Sequence, residues 1–177
     1  PCTLFSEMNP GNRAAVLIAV PNFSALRMNT ITNRDRDINK TDYERTYWLL
    51  SDPPAERNKW RTEAIKQTNN LTQAETRIYS LSTLRYKDTL ATLENKWLEM
   101  RHDYYMSIGS LGSKMQHLGI YLFLCLHPDT GLWLSEPKEF RASRFSLGAR
   151  DVWQISFGIT SKMQELLNSY MTFKWSM

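Results

Sequence analysis

The fold turns on the reading of PPAERNKWRTEAIKQTNNLTQAETRIYSLSTLRYKDTLATLENKWLEMRHDYYMS, Pro53 to Ser107. No proline follows Pro54 within it, it holds no glycine, the next being Gly109, and its charges alternate in sign. Leu90, Leu93, Trp97, Met100 and Tyr104 fall three and four apart, continued by Ser107 and Leu111, which lays a seam along one side of a helix. Trp60, Ala64, Gln67, Leu71, Ala74, Ile78 and Leu81 keep the same spacing with weaker residues. The register slips around Arg85, Lys87 and Asp88, and such a slip marks a joint or a local change of supercoil. Asn69, Asn70 and Thr72 favour caps over helix interiors, and Thr72 with Glu75 fits a capping box. The stretch therefore predicts two helices, about Pro54 to Asn69 and about Gln73 to Ser107. The seam suits packing inside one domain and an intermolecular coiled coil equally. Trp60, Leu93, Trp97, Met100, Tyr104 and Tyr105 are the candidate partner contacts, with Trp97 and the Tyr104-Tyr105-Met106 run too bulky for a tidy dimer seam.

Working outward, 177 residues suit a single domain that can bury its own core, with an appended arm. The net charge is +4, and basic residues are interleaved with acidic ones, as in Arg34-Asp35-Arg36-Asp37, so no phosphate-binding stripe stands out. Two cysteines, Cys2 and Cys125, make no disulfide framework, and a reducing intracellular compartment is the expectation. The mitochondrion is a guess from the basic balance and the lack of a visible export signal. The three glycosylation sequons at Asn22, Asn39 and Asn70 are no more than such a composition yields by chance. No transmembrane span is expected, because Lys114, Gln116 and His117 interrupt the best candidate, Tyr104 to Leu126.

Before the central stretch, Asn9-Pro10-Gly11-Asn12 is turn chemistry. Ala14 to Val20 reads as a short buried strand or one and a half turns of buried helix, its length and the bounding Pro21 favouring the strand, and residues 22–40 as an extended polar arm. Thr41-Asp42-Tyr43-Glu44 fits a capping box opening a short helix through Leu50, with Asp52 poised to cap the next. After it, Gly109 and Gly112 read as a helix stop. Leu118 to Leu126 and Leu132-Trp133-Leu134, separated by His127-Pro128-Asp129-Thr130-Gly131, read as strand, turn, strand. Trp153, Ile155, Phe157 and Ile159 alternate as a half-buried strand, and Met163 to Phe173 form an amphipathic helix. The fold class expected is α+β: a long helical stretch followed by a small antiparallel sheet and a C-terminal amphipathic helix. Its divisions are an arm over 1–40, a helical segment over 41–112 and an α+β segment over 113–177.

Catalytic chemistry is sparse. His102, His117 and His127 form no helical metal-binding pair, and Cys125 with His127 and Asp129 reads as an apolar thiol beside a turn. Gly109-Ser110-Leu111-Gly112-Ser113-Lys114 lacks the Gly-Lys-Ser/Thr ending of a nucleotide loop and has no strand expected before it. Gly109-Ser-Leu-Gly112 matches the short glycine clamp of some RNA binders, which a helix stop explains more simply. No Gly-x-Ser-x-Gly elbow occurs. No catalytic residue, metal ligand or cofactor is assigned. Lys138, Phe140, Arg141, Arg144, Phe145 and Arg150 interleave basic and aromatic side chains in a way that suits RNA, an acidic protein surface or lipid headgroups. The functional expectation is a non-catalytic accessory subunit of a larger intracellular assembly, acting through contacts with other protein subunits. The alternative is an RNA-associated or ribosome-associated protein.

Overall fold

Ala14–Val20 is the strand around which the chain is wound, apolar throughout because helices cover both of its faces. The structure, a computed structural model, describes residues 2–4, 13–39, 43–71 and 77–135, all within one compact unit, Pro1–Glu136. In chain order the elements are β1 (Cys2–Leu4), β2 (Ala14–Val20), α1 (Ala25–Asn39) and β3 (Tyr43–Asp52). A single 3-10 turn (Glu56–Asn58), α2 (Trp60–Thr68), β4 (Ile78–Ser82) and α3 (Tyr86–Met100) follow. The described part closes with β5 (Tyr104–Ser110), α4 (Lys114–Leu126) and β6 (Gly131–Ser135).

The six strands lie in the order β1-β6-β5-β2-β3-β4. β6, β5, β2, β3 and β4 are mutually parallel, and β1 alone runs antiparallel, along the β6 edge. Alternation along β2 divides the core. Val16, Ile18 and Val20 face α3 and α4, in one cluster with Leu93, Met100, Ile120 and Phe123. Leu17 and Ala19 face α1, packing with Met28, Ile31 and Trp133, while α2 covers Leu50 through Ile65. A parallel sheet needs crossover helices, and here α1 and α2 cover one face and α3 and α4 the other, so that both are dry.

The α+β expectation is thus overturned: the architecture is α/β, a five-stranded parallel sheet with four helices. The 3-4 seam holds over α3, where Leu93 and Met100 are buried, but its extensions on either side are the strands β4 and β5. The register slip is the junction between β4 and α3, with Arg85 in extended backbone just before the first helical turn. Residues expected to open a helix at Tyr43 form β3, whose Thr46, Tyr47 and Trp48 suit a pleated surface. Residues 25–39, expected as an extended arm, form α1, and Leu118 to Leu126, expected as a strand, belong to α4. The Trp153 strand, the Met163 helix and the Lys138 to Arg150 cluster lie outside the described residues, as does the Asn9 turn.

Candidate functional site

From β2 the chain moves outward through β3 to β4, then crosses back to place β5 on the other side of β2. Connections leaving the carboxyl ends of β2 and β5 therefore diverge. In open α/β sheets this switch point is where a crevice forms and ligands sit. A cleft of about 340 Å³ opens there, lined by Phe23 after β2, Ser51 near the end of β3 and Pro53 to Ala55 after it, Thr83 and Leu84 after β4, and Ser113 after β5. Asn58, Arg61 and Ile65 close it from the 3-10 turn and α2. Its volume falls within the usual range of small-molecule sites.

Local chemistry fixes each wall. Asn22 Oδ1 accepts from the Ser24 amide at 2.8 Å, and Asn69 Nδ2 donates to the Asn22 carbonyl at 2.8 Å, tying the Phe23 turn to the end of α2. Lys59 Nζ bonds both Asp52 oxygens at 2.7 and 2.8 Å, and Thr62 Oγ1 donates to the Ser51 carbonyl at 2.9 Å, which folds the β3–α2 connection back on itself. Ser113 caps α4: its hydroxyl accepts from the Gln116 amide at 3.2 Å and donates to the Thr83 carbonyl at 2.6 Å. Gln116 Oε1 in turn accepts from the Ser113 amide at 2.8 Å and from Ser51 Oγ at 3.0 Å. One fully buried glutamine thus gathers the ends of β3 and β5, with β4 tied in through Ser113. Its orientation is set by the Ser113 amide, which needs an acceptor. Gln116 Nε2 has no acceptor among the described residues. Gly112 makes room for this arrangement, since a Cβ there would lie 2.7 Å from Gln116 Oε1 and 2.9 Å from Val20 Cγ1.

At the rim, Phe23 and Trp60 stand with ring centroids 6.1 Å apart, and the Arg61 guanidinium lies 6.0 and 5.8 Å from their centres. Both rings are exposed, Trp60 at 60%. Among the described lining residues there is no carboxylate, imidazole or thiol.

Of the sequence-derived partner contacts, Leu93, Met100 and Tyr105 are buried within the chain, and Trp97 and Tyr104 are partly buried against the same core. Trp97, Met100, Tyr104 and Tyr105 surround a hollow at the opposite edge of the sheet whose roughly 10 Å³ is room for about one water. Trp60 alone of the six reaches the cleft rim. Gly109 to Lys114, read as a helix stop, instead ends a strand and starts a helix, the setting a ligand-binding turn requires. Ser113 with Gln116 fits the capping-box pattern, and that signal would have located α4. Phe23, Ser51, Arg61 and Thr83 carry no local signal and meet only through topology.

His127, considered above beside Cys125 and Asp129, is buried between Trp97 and Phe123, centroids 4.1 and 4.4 Å away, with Nε2 2.7 Å from Glu94 Oε1. That places it in the packing of α3 on α4. Among the described residues no three His, Cys, Asp or Glu side chains converge as metal ligands, and no helix is long and apolar enough to cross a membrane. No protein-family model and no curated protein matches the chain.

Proposed function

We propose that the protein is a small-ligand-binding α/β domain that holds its ligand in the cleft at the carboxyl ends of β2, β3, β4 and β5. The observation that carries this reading is the position of the cleft at the topological switch point, walled by four separate strand-to-helix turns. Binding is favoured over turnover because the described lining offers hydroxyls, an amide and a guanidinium but no group suited to general acid–base work near neutral pH. The test is a thermal-shift screen of a chemically diverse small-molecule set, repeated on Leu84→Trp. Leu84 lines the mouth and is exposed, so the larger ring narrows the cleft while leaving the core alone. Hits that raise Tm in the parent and lose the effect in Leu84→Trp support the reading. A screen in which every hit persists in the variant refutes it.

A second reading, an accessory subunit acting through protein contacts, is favoured by Leu26, which projects from α1 with 80% of its surface exposed. Sedimentation of native material distinguishes a stable assembly from a monomer. The two readings are compatible, since a ligand-binding domain can sit within a complex.

A further inference from the structure

We propose that the ligand of this cleft is an apolar monocarboxylate, its hydrocarbon body within the cleft and its carboxylate on the Arg61 guanidinium at the mouth. This rests on the cleft being a ligand site and adds the ligand's chemistry.

The body follows from the wall. Phe23, Pro53, Pro54, Ala55, Ile65 and Leu84 make up six of the eleven lining residues, and Phe23 and Leu84 stand 46% and 56% exposed. Large apolar side chains left wet inside a concave site are relieved of water by an apolar ligand and not by a polar one. The serines among them are already engaged in the framework. Ser51 Oγ donates to Gln116 Oε1 at 3.0 Å, and Ser113 Oγ donates to the Thr83 carbonyl at 2.6 Å while accepting from the Gln116 amide at 3.2 Å. A sugar, which needs a partner for each of several hydroxyls, finds both serine protons committed.

The head group follows from charge. Arg61 is the one charged residue of the described lining, and no ion pair joins it to a carboxylate among the described residues. Lys59, on the same connection, is matched by Asp52. The Arg61 guanidinium lies 6.0 and 5.8 Å from the centres of the Phe23 and Trp60 rings, which sets it against apolar surface and keeps water from part of any ion pair it makes. A planar fork of this kind takes a carboxylate through two parallel hydrogen bonds. One cation balances one anion. A phosphate dianion would bring a second charge into an apolar cleft with nothing to meet it, and an amine would meet a like charge.

The experiment titrates the full chain by calorimetry with the straight-chain carboxylates from acetate to octanoate, each set against its primary amide, with octylamine and octyl phosphate as charge controls. Affinity is expected to rise about two- to fourfold per methylene until the cleft is filled. Octanoate should bind about five- to tenfold more tightly than octanamide, between the worth of an exposed ion pair and that of a shielded one. Arg61→Gln should abolish that margin while leaving octanamide nearly unchanged, and Leu84→Trp should weaken acid and amide together. The Arg61 side chain is exposed, so the urea midpoint of Arg61→Gln is expected to hold and show that the variant folds. Affinity that does not grow with chain length, octanamide or octylamine binding as tightly as octanoate, octyl phosphate binding more tightly than octanoate, or a carboxylate margin that survives Arg61→Gln overturns the proposal. If no carboxylate binds but another compound does in a Leu84-dependent way, the carboxylate assignment falls and the cleft reading survives. If nothing binds in a Leu84-dependent way, both fall.

Discussion

Gly119 sits inside α4, where an isolated helix would be steadier with alanine by about 1 kcal/mol. Helix propensity alone therefore predicts that Gly119→Ala stabilises the protein. Packing predicts the reverse. A Cβ at this position would lie 2.5 Å from the Tyr86 carbonyl oxygen, 2.8 Å from Thr89 Cβ and 3.2 Å from the Leu90 amide nitrogen. These atoms belong to the first turn of α3 or are fixed rigidly to it, so no side-chain rotation relieves the contact and the helices must separate by several tenths of an ångström. Overpacking of a close-packed core costs about 1–3 kcal/mol, and backbone contacts put this case in the upper half. Set against the propensity gain, the expected net loss is roughly 1–2 kcal/mol. At about 2–4 °C per kcal/mol for a chain of this size, Tm should fall by some 2–8 °C. Urea denaturation followed by circular dichroism measures the free energy, with the slope expected to stay constant. Thr89→Gly in the same background removes one contact but not the carbonyl clash, so at most part of the loss returns. Unchanged or higher stability in Gly119→Ala would refute the close approach of α3 and α4. Because the N-cap of α4, Ser113, lines the cleft, the variant should also weaken whatever ligand the screen finds.

Gly109→Ala should cost about 1–3 kcal/mol in urea denaturation, because its Cβ would meet Ile31 Cγ2 at 2.5 Å, and a branch methyl on a helical isoleucine has little freedom to turn aside. His127→Leu removes the partner of Glu94 from between two rings and should cost about 1.5–3 kcal/mol in the same assay. Lys96 lies over the Tyr79 and Tyr47 rings at 4.5 and 5.3 Å, with Nζ 2.7 Å from Glu99. Burial pulls its pKa down, but the hydrogen bonds and charges of Glu99 and Tyr79 outweigh that and raise it above the ordinary 10.5. A raised lysine pKa gives stability that is complete below the unfolded value and lost as pH climbs through the folded one. The difference in urea midpoint between parent and Lys96→Met should thus be constant at neutral pH and shrink as pH rises past 10.5.

Local pattern carried the sequence a definite distance. Ala14 to Val20 fitted a buried strand or a turn and a half of buried helix, and its shortness and the bounding Pro21 tipped the reading to the strand that β2 is. Leu90, Leu93, Trp97 and Met100 announced an amphipathic helix, and α3 buries that face inside the chain. What failed was the extension of a helical period into Ile78–Ser82 and Tyr104–Ser110, where spacing of three and four arises by coincidence in strands that contribute to both faces of a sheet. Leu118 to Leu126 failed for a related reason: where apolar residues run without interruption, periodicity no longer separates helix from strand.

The candidate site was less legible still, because none of its walls is a motif. Residues from Phe23 to Ser113 become neighbours only when five parallel strands place their carboxyl ends along one edge. Trp60 was read as a partner contact on a helical seam and Gly109 with Gly112 as a helix stop, and both readings changed once strand and helix flanked the turn. The sequence by itself determined which residues are greasy, where the chain must turn and that obvious catalytic motifs are few. Tertiary structure decided which of those residues meet, because hydrogen bonding between parallel strands joins segments far apart in the chain, and no local period records that pairing.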